Sequence, residues 1–192
     1  MTTRCIAVSG GPGAGKTTLW RRLAELHPQR VSALPEVATA LFSQLFPQVQ
    51  TEPERCAVQR AIFSVQQQLE FVYASRLGAG QLLLCDRGTP DGAGYWPEGP
   101  EQFFESMHST WQAELARYDA VLFLESAAVG GIAVADHNNR TRTEDLATAA
   151  HFDARLRTVW QAHPRFEFVA HEREFAEKLA KGVALAERLL GL

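Results

Sequence analysis

Between the apolar run RCIAVSG at 4–10 and a segment whose leucines Leu19, Leu23 and Leu26 recur at helical spacing stands the octapeptide GGPGAGKT, Gly10 to Thr17. It matches G-x-x-x-x-G-K-[ST] in the strand-then-helix setting that this pattern requires. Four glycines within six residues allow successive backbone N–H groups to turn into one concavity and bind phosphate oxygens. The helix opening near Lys16 adds the positive end of its dipole. Lys16 brings a full charge to the β and γ phosphates, Thr17 offers a hydroxyl to Mg2+, and Thr18 lies toward the α phosphate. Gly10, Gly11, Pro12, Gly13, Ala14, Gly15, Lys16, Thr17 and Thr18 are therefore the candidate site for a nucleoside triphosphate with magnesium.

Four more short apolar runs follow: RVSALPE at 30–36, QLLLCD at 81–86, AVLFLE at 120–125 and FEFVA at 166–170. The runs at 4–10, 81–86 and 166–170 lack a clean polar/apolar alternation, as strands buried on both faces of a parallel sheet do. Helical patterns separate the runs, and a strand, helix, strand order implies right-handed crossovers in a layered α/β fold with helices on both faces. TEPE at 51–54 has the form of a capping box, and Val58, Ile62, Val65, Leu69 and Val72 continue it as a long helix ended by Gly78 and Gly80. A helix is expected from about Pro100 to Arg117 with Phe104, Met107, Trp111 and Leu115 inward. TRTE at 141–144 offers a second capping box before a helix to about Trp160, and a last helix, roughly 172–190, turns Phe175, Leu179 and Leu189 inward. The irregular stretch 126–143 is the candidate lid.

The chain of 192 residues, 46% apolar, suits one domain, 1–192. A net charge of -3 supplies no field that would favour nucleic acid or an anionic membrane as partner. Without a signal-like start or an apolar stretch near membrane length, the reading is cytoplasmic. Cys5, Cys56 and Cys85 read as reduced, buried thiols, and His108, His137, His151 and His171 have no metal-ligand spacing. The exposed face of the 53–77 helix is a candidate for pairing two copies as a homodimer.

Chemistry beyond the glycine loop is expected where strands end, since ligands in open α/β sheets sit at the carboxyl ends of the strands. Asp86 closes the third run and can reach Mg2+ directly or through water, or else caps a turn. Arg87 beside it can clamp phosphate or carboxylate oxygens. Glu36 follows the second run and can take the proton of an attacking hydroxyl, or merely favour a helix N-terminus. Arg140 and Arg142 in HNNRTRTED can close over the triphosphate, or sit solvated on the surface. Asp91, Tyr95 and Trp96 lie in the turn-rich GTPDGAGYWPEG, where the aromatics either stack on a planar acceptor or pack beneath the loop.

SGGPGAGKTTL, PEVA, DRGTPDGAGY and RTRTED, in this order, resemble the small AAA-type ATP/GTP-binding P-loop proteins, whose relatives include ribosylnicotinamide kinase-like domains. The resemblance runs from about Cys5 to Trp160. The chain is also similar, more distantly, to thymidylate and deoxynucleoside kinases. The kinase resemblance implies a three-layer P-loop fold with a five-stranded parallel sheet in the order 2-3-1-4-5. It further implies that Asp86 serves magnesium or catalysis, that Arg87, Arg140 and Arg142 bind phosphates, and that Glu36 contacts the acceptor. Two functions stay open. One is a kinase that moves the γ-phosphoryl group of ATP to a small molecule such as a nucleoside, a nucleotide or a related metabolite. The other is a nucleotide-dependent switch without an acceptor. HNNRT lacks the lysine and aspartate of a guanine-selecting Asn-Lys-x-Asp, so ATP is the favoured nucleotide, with GTP open.

Overall fold

A computed structural model describes residues 4–132 and 145–191. The five apolar runs are strands: β1 Arg4–Ser9, β2 Val31–Leu34, β3 Leu82–Asp86, β4 Ala120–Leu124 and β5 Phe166–Val169. They form one parallel sheet in the order β2-β3-β1-β4-β5, as the resemblance implied. Strands β3 and β4, on either side of the central β1, are buried throughout, whereas β5, at the edge, is only half-buried. The expectation of burial on both faces therefore fails at 166–170, because an edge strand is covered by one neighbour instead of two.

Alternate residues feed two cores, since successive side chains of a strand point to opposite faces. Ile6, Val8, Leu82, Leu84 and Leu122 pack with Leu19 and Leu23 of α1 (Lys16–Leu26) and Leu189 of α8 (Phe175–Leu190). Ala7, Leu83, Cys85, Val121 and Phe123 pack on the other face with Leu156 and Trp160. The latter two belong to α7 (Leu146–Trp160). Each fully buried leucine of these layers contributes on the order of 1.5–3 kcal/mol. Phe175, expected inward, is 48% exposed, and Leu26, which shares the spacing of Leu19 and Leu23, is 40% exposed. Leu26 ends its helix beyond the sheet, and Phe175 opens α8 beside the glycine loop.

α2 spans Val37–Gln44. α3 spans Glu52–Ala74 and carries the expected capping box, with the Glu54 amide donating to Thr51 Oγ1 at 3.3 Å and the Thr51 amide to Glu54 Oε2 at 3.2 Å. It stops before Gly78. Its buried side is formed by Val58, Phe63, Gln66 and Glu70, while Val72 is exposed. Two polar residues thus take places that the apolar period would give to hydrocarbon. Glu70 accepts from the Tyr118 hydroxyl at 2.6 Å, from Gln66 at 2.9 Å and from Arg117, so the buried carboxylate is satisfied.

The helix expected over 100–117 is two, α5 Pro100–Ser106 and α6 Trp111–Leu115, after a short α4, Asp91–Tyr95. His108 between them has a φ of 54°, which no helix tolerates, and Thr110 caps α6 by accepting from the Ala113 amide at 3.2 Å. α7 starts at Leu146 with Asp145 as its cap, the Thr148 amide donating to Asp145 Oδ1 at 2.7 Å. The box at 141–144 lies outside the described residues, as do Arg140, Arg142 and most of the candidate lid. The lid's first residues form a single 3-10 turn, Ala127–Gly130. No helix among the described residues is long and apolar enough to cross a membrane.

Candidate active site

The glycine loop follows the central strand and opens α1. Gly10, Gly13 and Gly15 have φ values of 139°, 70° and 86°. At Gly10 the need is also spatial, since a Cβ there would lie 2.0 Å from the Leu124 carbonyl oxygen. The loop is thereby pressed against the end of β4. Lys16 is 6% exposed and its Nζ donates to the Gly11 carbonyl at 2.9 Å, which folds the side chain back over the loop. Gly13, Ala14, Gly15, Lys16, Thr17 and Thr18 line a cavity of about 530 Å3, together with Trp20, Glu36, Asp86, Phe175 and Lys178.

Thr17 and Asp86, far apart in the chain, meet here, with the hydroxyl donating to Asp86 Oδ2 at 2.7 Å. Asp86 is 1% exposed, and its other oxygen, Oδ1, has no hydrogen-bond partner among the described residues. A buried carboxylate oxygen without a donor is unusual enough to require a reason. Burial, and then the charge of Glu36, push the Asp86 carboxyl above the ordinary carboxylate range. A hydroxyl and a carboxylate oxygen side by side at the mouth of a phosphate loop form an all-oxygen donor set, which suits Mg2+. The residues present therefore fit the ion.

Arg87 turns the opposite way. Its φ of 75° is left-handed, a conformation that costs a non-glycine residue on the order of 1–3 kcal/mol and persists only where the surroundings impose it. The surroundings are visible: the Arg87 amide donates to Val8 O at 3.0 Å, and its carbonyl accepts from Gln66 at 3.2 Å. The guanidinium donates from Nε to Glu36 Oε1 at 2.5 Å and from Nη1 to Asp91 Oδ1 at 3.0 Å. Glu36, at the N-cap of α2, also accepts from the Thr39 hydroxyl. Asp91 is saturated by four donors, the others being Ser9 Oγ at 2.8 Å and the Gly88 amide and Trp160 Nε1, both at 3.0 Å. It holds Arg87 and leaves no oxygen for a ligand.

Arg87, Gly88, Thr89, Asp91 and Tyr95 border a second cavity of about 520 Å3, whose walls include Phe42, Phe46, Phe63 and Phe152. Consecutive residues thus serve two cavities: Asp86 the first and Arg87 the second, Glu36 the first and Val37 the second. Tyr95 faces the second cavity and lies 4.8 Å from the Phe152 ring, whereas Trp96 is 2% exposed and packs on Phe103 at 5.5 Å. Of the two aromatics with an open role, one lines a cavity and the other is core.

Because Glu36 and Asp91 flank one buried cation, Arg87→Met is expected to cost about 3–5 kcal/mol, the usual result of breaking a buried pair from one side. Urea unfolding measures it; a loss below about 1 kcal/mol would show the cluster to be no stronger than a surface ion pair.

Three site residues carry no motif. Asp153 of α7 is buried and its Oδ1 accepts from the Gly11 amide at 2.7 Å. Lys178 of α8 donates to the carbonyls of Ala14, at 2.8 Å, and of Glu125. Burial lowers its amine to about 8, and either protonation state keeps enough N–H bonds for both carbonyls. Ser126 donates to the Pro12 carbonyl. The cysteines are free thiols, of which only Cys85 is fully buried. Cys5 and Cys85 lie on neighbouring strands with their sulfurs 3.8 Å apart.

The family model described as AAA domain matches residues 5–178. No curated protein matches the chain.

Proposed function

Since the chain belongs to the AAA domain family of P-loop nucleotide-binding proteins, we propose that it is a phosphotransferase, moving the γ-phosphoryl group of ATP to a hydroxyl or phosphate of a small molecule. The observation that carries this reading is the second cavity. A switch needs room for a nucleotide only, yet an aromatic-walled space of about 520 Å3 shares its boundary with the phosphate side at Asp86–Arg87 and Glu36–Val37. Pockets of this size, apolar with a few convergent polar groups, are the usual form of a small-molecule site.

In this reading the loop amides and Lys16 bind the β and γ phosphates, and Thr17 and Asp86 hold magnesium. The ion, when bound, neutralises phosphate charge and orients the oxygens around it. Arg87 faces the acceptor and, fixed by two carboxylates, cannot swing away. Glu36 receives the proton of the attacking group. Its two oxygens are engaged by Arg87 and Thr39, so its main contribution is to orient that group, which suits a reaction whose loose transition state demands little base strength. Arg140 and Arg142 are proposed to bring further positive charge to the phosphates.

The decisive assay incubates the protein with Mg-ATP and a panel of nucleosides, nucleotides and vitamin-derived ribosides. ADP formation stimulated by one acceptor, with a phosphorylated product seen by mass spectrometry, is expected. Slow hydrolysis indifferent to every acceptor would overturn the phosphotransferase in favour of the switch.

A further inference from the structure

α7 lines the second cavity and holds the glycine loop that borders the first. Its first half lines the acceptor side with Thr148 and Phe152, and the Phe152 ring rests on Tyr95. The next residue, Asp153, faces the other way. It is 2% exposed, and one oxygen, Oδ1, accepts from the Gly11 amide at 2.7 Å and from the Ser126 amide at 2.8 Å. The approach is close, since a Cβ on Gly11 would stand 2.7 Å from Asp153 Cβ, so the loop's first turn lies directly on the helix. Ser126 in turn donates its hydroxyl to the Pro12 carbonyl. Farther along α7, Leu156 presses on Gly94, where a Cβ would be 2.6 Å from Cδ2, and Trp160 donates to Asp91, the residue that holds Arg87.

A carboxylate at this place cannot be there to attract phosphate. It carries the same sign of charge, and it occupies a loop amide that would otherwise be available to an anion. Burial pushes its carboxyl above the ordinary range, and the Gly11 and Ser126 amides work against that push. What it does provide is a rigid link. Close-packed interiors transmit small displacements, and Phe152 and Asp153 share one stretch of helical backbone.

We infer that Asp153 is a positioning residue that couples the two cavities: pressure on Phe152 from an occupant of the second cavity is carried by α7 to the Gly11 amide and changes the affinity of the loop for triphosphate. Coupling of this kind is reciprocal, so bound triphosphate equally alters the fit at Phe152. The inference rests on the phosphotransferase reading for the nature of that occupant, but the link itself can be tested with nucleotide alone.

A double-mutant cycle on Mg-ATP affinity, measured by isothermal titration, compares the wild type, Phe152→Ala, Asp153→Ala and the double variant. Phe152 does not line the nucleotide cavity. Phe152→Ala is nonetheless expected to change Kd about five-fold or more in the wild-type background and to have no further effect beside Asp153→Ala. Asp153→Asn, whose amide oxygen accepts from the same two N–H groups, is expected to restore both the affinity and the sensitivity to Phe152. A change within about two-fold in Phe152→Ala, or an equal change in both backgrounds, would overturn the coupling. Should Asp153→Ala fail to fold, the amide resonance of Gly11 in 15N-labelled Phe152→Ala decides: a displaced resonance is expected, and an unmoved one refutes the link. A panel without acceptor stimulation would sink the phosphotransferase and leave this cycle standing. An additive cycle beside acceptor-stimulated turnover would sink the coupling alone.

Discussion

Lys16→Met is expected to weaken Mg-ATP binding by at least about a hundred-fold, the largest loss of any single substitution in the molecule. The side chain is 6% exposed within the nucleotide cavity, so its charge acts in a medium of lower effective dielectric than water. At a separation of 4 Å and an effective dielectric near 20, one pair of unit charges is worth about 4 kcal/mol, and a hundred-fold loss needs only about 2.7 kcal/mol. Methionine keeps the length and the apolar stem, so packing changes little. The Lys16 hydrogen bond to the Gly11 carbonyl at 2.9 Å is lost as well, which frees the loop at the point where Asp153 holds it. Isothermal titration measures the effect, and circular dichroism checks that the variant is folded. Affinity retained within about three-fold would remove the glycine loop from nucleotide binding.

Asp86→Asn should separate binding from turnover. Asparagine preserves the shape and can still accept from the Thr17 hydroxyl, but it removes the negative charge proposed to hold magnesium. Nucleotide affinity without magnesium is expected to stay level or rise, because a like charge near the phosphates is gone. Magnesium-dependent turnover should fall by about two to three orders of magnitude, the scale of deleting one charge-stabilising contact at a reacting centre. The pH dependence follows from the raised carboxyl. Because a proton and the ion compete for the same carboxylate, magnesium affinity in the wild type should decline on the acid side at a pH above the ordinary carboxylate range, and the asparagine variant should lack that dependence. Stability moves in the opposite sense. A carboxyl whose pKa is higher folded than unfolded stabilises the protein fully only below its unfolded value and loses that contribution as pH rises through the folded one. At neutral pH the buried charge is a net cost, and Asp86→Asn should unfold at higher denaturant than the wild type. Unchanged turnover would strike Asp86 from the mechanism, and an unchanged midpoint would show that water or a counter-charge already satisfies Oδ1.

The parts of this protein that can be read from sequence are those in which local chemistry and tertiary role coincide. GGPGAGKT is such a case, because the residues that make the turn are also the residues proposed to bind. The Thr51–Glu54 box is another, since both of its bonds close within one helical turn. Asp86 and Glu36 are legible as strand-end carboxylates, but their partners are not. Asp86 faces Thr17 while Glu36 is tied to Arg87, and the left-handed backbone of Arg87 is imposed by Val8 and Gln66, which no local pattern reveals. The break at His108 was hidden for a similar reason, because Phe104, Met107, Trp111 and Leu115 keep helical spacing across two helices.

The residues that escaped share a trace. Asp153 falls on the stripe of Ala149, Leu156 and Trp160; Lys178 falls on that of Ala186 and Leu189; Gln66 and Glu70 stand where α3 should be apolar. A charged or amide side chain in the middle of a core-facing stripe is costly unless it is paired. Each of these four is paired with the glycine loop, with Arg87 or with a network behind them. An interruption of an otherwise regular apolar face is thus the mark by which such supporting residues can be found.

The sheet order also sets a timetable for a chain that is still being made. β1 leaves the ribosome before both of its neighbours, residues 82–86 and 120–123. Parallel pairing across such distances is slow, because loop closure has to precede any gain from contact. Until β3 and β4 arrive, β1 is an apolar strand with both edges bare, the kind of segment that chaperones cover. The glycine loop inherits this delay. Gly10 takes its shape against the carbonyl of Leu124, and Gly11 is anchored by Asp153 still later. The glycine loop is therefore translated well before the segments that shape it, so a nucleotide bound there would report a finished fold and could not act as its seed.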